Sequence, residues 1–228
     1  MSRYGYKIII PVLTAALFIS GCGAGNGGTK SVSGQPVPPD SSASLESSTP
    51  PASSEQLDAA PSEAVKSGFG KVLIAYYSLQ GHTREAANLI KDMTGAEIFE
   101  IQPVENYLRA DVEEIAKKQV AEGYKPELKN SVSNIEEYDT IFIGSPVWWY
   151  SVSPPVMSFL SQYDFEGKTV VPFCTYGSAY GDFFKMFKDA CPGAEVLDGM
   201  DVTNSESEDM DKVKEKIRLW LEEIQKEK

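Results

Sequence analysis

Three short segments carry the side chains whose chemistry could serve a ligand. The first, Ser78-Leu79-Gln80-Gly81-His82-Thr83, places two hydroxyls, a carboxamide and a glycine between an apolar run and a helical pattern. A helix N-terminus offers free backbone N–H groups and a partial positive charge, which suit a phosphate. Gly81 lets the backbone approach such a group closely. His82 is the one histidine in the chain. It reads either as a solvated loop residue or as a donor to the phosphate, whose charge would favour the protonated ring. The second, Ser145-Pro146-Val147-Trp148-Trp149-Tyr150, sets three aromatics after a proline. Neighbouring side chains diverge, so at least one ring is expected to project into a cleft and cover a planar apolar ligand. The third, Thr175-Tyr176-Gly177-Ser178-Ala179-Tyr180-Gly181-Asp182, offers backbone amides for the polar edge of a heterocycle and a tyrosine for one face. Asp182 either caps the next helix or touches the ligand.

Other chemistries find little support. The GxxxxGK(S/T) and GxGxxG nucleotide signatures are absent, and a phosphate loop without lysine points away from phosphoryl transfer. A single histidine argues against histidine-rich metal sites. No catalytic residue and no metal ligand is assigned. Cys174 and Cys191 are expected at opposite ends of a sheet, because the helix between them, about nine residues, runs roughly 13 Å and a disulfide needs Cα atoms within about 7 Å. They read as two separate buried thiols. The formal charge of -12 argues against nucleic acid as the main partner, since a phosphate backbone needs a basic face.

The three segments must be held by a scaffold, and the pattern supplies one. Lys71–Tyr77, Ala96–Ile101, Thr140–Gly144, Thr169–Cys174 and Glu195–Met200 read as strands. Pro172 weakens the fourth of these. Arg84–Met93, Asp111–Glu122, Pro155–Tyr163, Asp182–Ala190 and Ser207–Gln225 read as helices, the last with a capping box from Ser205 and Glu208. The acidic clusters Asp111–Glu114 and Glu206–Asp211 read as solvated faces. Apolar strands alternating with helices predict an α/β parallel sheet covered on both faces. Ligands of such sheets bind outside the carboxyl ends of the strands, where all three segments fall.

The same residues resemble the flavodoxin family. Gly144-Ser145-Pro146-Val147-Trp148-Trp149 is similar to a GxPxWW segment of its bacterial flavodoxin-like branch. Ser78–Thr83 resembles the family's phosphate signature, Thr/Ser-x-Thr-Gly-x-Thr, with Gln80 in place of the central threonine. The resemblance runs from about Lys71 to the last helix. It implies a flavodoxin-like three-layer sandwich with a five-stranded parallel sheet in the order 2-1-3-4-5, and FMN as the ligand. The phosphate would rest on Ser78–Thr83. The isoalloxazine would lie between the Pro146–Trp149 and Thr175–Asp182 segments. The segment Ser145–Pro155 contains no glycine, unlike the turn that some flavodoxins use to flip a peptide towards the flavin, so one-electron stabilisation is not implied here.

The amino-terminal part has a different character. Arg3 and Lys7 precede an apolar stretch, Ile8–Ser20, that is too short to span a membrane and suits a signal core. It ends in Leu17-Phe18-Ile19-Ser20-Gly21-Cys22, which resembles the bacterial lipoprotein signal. That resemblance implies cleavage after residue 21, acylation of Cys22 and a lipid anchor on the extracytoplasmic side of the cell membrane. Residues 23–68 contain 31 Ser, Gly, Pro, Ala or Thr among 46 and no aromatic. Such a stretch cannot bury enough apolar surface to offset its ordering entropy. Residues 22–68 are therefore expected to be a tether with a reach of roughly 40 Å, and residues 69–228 the folded domain. Together these readings predict a tethered FMN protein that passes electrons between redox partner proteins or small acceptors. Alternatives are an FMN-dependent reductase of quinones or similar acceptors, and a binding module that has lost its flavin.

Overall fold

The computed structural model describes residues 68–226, so the expected signal, Cys22 and all but the last residue of the tether lie outside the described residues. Strands β1 (Val72–Tyr76), β2 (Glu97–Glu100), β3 (Thr140–Trp148) and β5 (Thr169–Tyr176) form a parallel sheet. Its order is β2-β1-β3-β5, with β6 (Glu195–Val196) and β7 (Met200–Thr203) both paired to the outer side of β5. Taken as one interrupted strand, β6 and β7 complete the expected 2-1-3-4-5 order.

Every residue of β1 is buried, because helices cover both faces. Val72, Ile74 and Tyr76 point to one side, where they meet α1 (His82–Thr94) and α5 (Met210–Ile224). Leu73, Ala75 and Tyr77 point to the other, against α3 (Pro154–Leu160), α4 (Phe183–Ala190) and part of α2 (Val112–Glu122). The period-2 alternation of a strand thus fills two separate cores. The result is a three-layer sandwich.

Four sequence readings need correction. The sheet has seven strands rather than five. One extra strand is β4 (Ser151–Val152), which pairs antiparallel with the end of β3, so Ser145–Trp148 is strand and not loop. The hairpin turn is Trp149-Tyr150, with φ of 50° and 64°. Both residues adopt the left-handed conformation that two-residue turns usually reserve for Asn-Gly. The other extra strand comes from the division of the fifth strand. Pro172 sits mid-strand opposite Ile143, in unbroken register with β3, while on its far side the pairing jumps from Val170–Val196 to Phe173–Met200. Proline brings no ladder N–H, and the partner strand breaks at that level. Finally, the capping box is not formed. Asp209 caps α5 by accepting from the Lys212 N–H at 3.2 Å, and Glu206 folds back to accept from the Thr203 N–H at 2.8 Å. Cys174 and Cys191 are free and buried.

Candidate functional site

A cleft of about 420 Å³ opens at the carboxyl ends of β1, β3 and β5. From the first segment it is lined by Ser78, Leu79, Gln80, His82 and Thr83. Helix α1 starts here without a side-chain cap, since Gly81 holds the N-cap position at φ 107°. The Glu85 N–H is the first to find an intrahelical acceptor, the Gly81 carbonyl at 3.0 Å. The amides of His82, Thr83 and Arg84 precede it and have no place in the helix ladder. The Gly81 N–H donates to Ser78 Oγ at 3.1 Å, closing the loop on itself. Gly81 shapes the loop but is not on the cleft wall. What forms is a small ring of donors at a helix start, the arrangement that receives an anion.

The second segment supplies Pro146, Val147, Trp148 and Trp149. The two tryptophans diverge as their alternation in the hairpin requires. Trp148 is half-buried, edge-on to Tyr77 at 5.8 Å and to Tyr107 at 5.1 Å. Trp149 is 44% exposed. Its indole N–H donates to the Glu113 carbonyl at 3.1 Å, and the Lys117 ammonium lies 4.8 Å from the ring centroid. Cation and hydrogen bond together hold the indole against the start of α2.

The third segment divides. Thr175, Tyr176 and Gly177 line the cleft. A second hollow of about 220 Å³ shares Val147, Trp149, Tyr176 and Gly177 with it and extends to Tyr150, Ser178 and Ala179. Tyr180, Gly181 and Asp182 line neither. Tyr180 stacks edge-on against Tyr176 and Phe184, Gly181 packs under Tyr150, and Asp182 precedes α4 without a side-chain cap bond.

A family model described as Flavodoxin matches residues 71–224. The chain belongs to the flavodoxin family. Among solved structures, one similar chain is a flavoprotein, provisionally so named, from Bacteroides uniformis ATCC 8492. It is 31% identical, with a TM-score of 0.59 over 66% of this chain and 99% of its own. A counterpart from Bacteroides eggerthii DSM 20697 is 28% identical, with a TM-score of 0.59 over 68% and 97%. A flavoprotein of Lactobacillus acidophilus NCFM, solved in complex with FMN, is 27% identical, with a TM-score of 0.50 over 61% and 97%. No curated protein matches the chain.

Four wall residues of this flavodoxin-family domain escaped the sequence reading. Val112, Glu113 and Ala116 come from the start of α2, and Asn204 from the turn after β7. Asn204 is fixed by its N–H, which donates to the Tyr176 carbonyl at 2.8 Å. Behind the wall, the Tyr176 hydroxyl donates to Asp201 at 3.0 Å, and Lys216 reaches both Asp201 and Glu206. Burial, and then the Asp201 carboxylate, push the Tyr176 phenol up to about 12. Glu206 is held below its ordinary range, first by the Thr203 backbone N–H and then by Lys216. Tyr176 therefore keeps its proton through the physiological range and presents a neutral aromatic wall.

Proposed function

We propose that this chain binds FMN in the cleft and carries electrons between redox partners, tethered by lipid outside the cytoplasmic membrane. The observation that carries the reading is a conjunction. The uncapped start of α1 opens into the same cleft as the Trp149 ring and the Tyr176 wall. An anion-binding end joined to an aromatic-walled end fits a phosphorylated planar heterocycle. The FMN complex of the Lactobacillus acidophilus protein supports the same ligand.

The flavin, once bound, supplies the redox chemistry. The protein's share is binding and electrostatics. Ser78, Gln80 and Thr83, with the first-turn amides of α1, would hold the phosphate. Trp149 and Tyr176 would flank the ring and exclude water from it. Trp148, braced by Tyr77 and Tyr107, would set the position of the hairpin. The tether rests on the sequence pattern around Cys22.

Binding is tested by titrating the isolated domain with FMN while following flavin fluorescence and absorbance. Quenching with a saturable, yellow complex is expected, and Trp149→Ala should weaken it. A protein that stays colourless in excess FMN sinks the reading and leaves a flavin-free module. Steady turnover of quinones by the loaded protein would instead mark it as an oxidoreductase. Fractionation of cells making the full chain or Cys22→Ala tests the tether. The full chain should follow the membranes with covalently bound acyl chains, and the variant should carry none.

A further inference from the structure

The Oγ1 atoms of Thr83 and Thr175 lie 2.8 Å apart, joining residues 92 positions distant in sequence. Thr83 is the second residue of α1 and Thr175 stands near the end of β5. They are 1% and 4% exposed, and both line the cleft. No other hydrogen bond of either hydroxyl appears among the described residues. The third segment was expected to serve the polar edge of a ring. This one of its hydroxyls instead turns to the phosphate loop.

We propose that Thr175 is a positioning residue for the phosphate end of the ligand, acting through Thr83, and that it thereby sets the preference for phosphorylated over unphosphorylated flavin. The role rests on the reading of the cleft as an FMN site. A threonine hydroxyl has one proton to give and two lone pairs. In the pair as it stands, either oxygen could be the donor. A phosphate dianion only accepts. If Thr83 gives its proton to the phosphate, it must accept from Thr175. The chain then has one direction, from Thr175 to Thr83 to phosphate, and each bond polarises the next. Thr175 also fixes the Thr83 rotamer, so the Thr83 oxygen is already in place before the ligand arrives. Riboflavin carries no phosphate and draws nothing from this chain.

Valine reproduces the shape of threonine and suits a buried strand position. Thr175→Val should therefore keep the fold while removing the donor. Dissociation constants for FMN and for riboflavin are measured by fluorescence quenching on the wild type, Thr175→Val and Thr175→Ser. The FMN constant of Thr175→Val is expected to rise about tenfold, the loss of one hydrogen bond in a charge-terminated chain. Its riboflavin constant should stay within about twofold, and Thr175→Ser should restore FMN binding. Equal weakening for both flavins, or an unchanged ratio between them, overturns the proposal while leaving the FMN site intact. Wild-type protein that binds neither flavin overturns the reading of the cleft, and this role falls with it. Far-UV circular dichroism and urea midpoints of the three proteins separate a binding change from unfolding.

Discussion

Tyr150 and Gly181 lie back to back. A Cβ built on Gly181 would stand 2.6 Å from the Tyr150 Cβ and 2.8 Å from its carbonyl oxygen. Gly181 is also left-handed, at φ 56°. The hairpin turn that carries Trp149 and the loop that follows β5 therefore lock together through a contact that only glycine allows. Gly181→Ala combines overpacking with an unfavourable φ. It is expected to lower stability by roughly 1–3 kcal/mol, read as a lower urea midpoint at unchanged slope. The tryptophan emission should move as Trp149 loses its seat. A midpoint equal to wild type would show that the two turns yield freely.

Buried phenols predict the alkaline behaviour. Tyr77 is pushed up by burial and then by Glu100, and Tyr107 by burial and then by Glu105. Tyr176 rises to about 12. A group whose pKa is higher in the folded state contributes stability that is complete below the unfolded value. That contribution fades as pH rises through the folded value. The urea midpoint is therefore expected to hold steady to about pH 10 and fall above it. Phenolate absorbance from these tyrosines should appear together with unfolding and not before. Tyr107→Phe should lessen the fall. An unchanged midpoint through pH 11 would contradict the assignment.

Much of this arrangement was legible in the sequence, for identifiable reasons. β1 is an apolar run buried on both faces, and its length and flanks announced a parallel sheet. The loop that opens into the cleft ahead of α1 was legible because a hydroxyl–glycine–hydroxyl pattern sits directly before a helix. What stayed hidden depended on contacts across the chain. Val112, Glu113 and Ala116 lie on a helix whose exposed, charged pattern reads as a solvated face, and nothing local says that its first turn meets Trp149. Asn204 stays hidden because the strand pattern of Glu195–Met200 ends four residues before it. In fact the strand breaks opposite Pro172 and resumes through Thr203. The hairpin was hidden by its own turn, since Trp149-Tyr150 lacks the residues that normally mark one.

The two cysteines of the domain give a chemical test of the packing. Burial pushes the Cys191 thiol up to about 11. Burial and then the Asp201 carboxylate push Cys174 up as well. Neither supplies thiolate at neutral pH, and thiolate is the reactive form. A disulfide-exchange reagent at pH 8 should label neither thiol in the folded domain and both in denaturant. Oxidising conditions should not change the electrophoretic mobility of the unreduced protein. Fast labelling of either thiol would mean that β5 or the end of α4 opens readily.

Glu113 bears on the redox behaviour itself. It is the acidic residue on the cleft wall, and its own carbonyl accepts the Trp149 indole N–H. Reduction adds negative charge to the ring, and a carboxylate nearby opposes it by Coulomb repulsion. Glu113 is exposed, so solvent screens most of the effect. Glu113→Gln keeps the backbone carbonyl, and with it the Trp149 contact, while removing the charge. The midpoint potential of bound FMN is expected to rise by roughly 10–40 mV at low salt, taking the charge at an effective dielectric between water and protein surface. The difference should shrink at 1 M salt, where the screening length is about 3 Å. A potential that falls, or a rise that ignores salt, would place the controlling charge elsewhere. Asp201 behind Tyr176 ranks after Glu113 in this test, because Lys216 already offsets its charge.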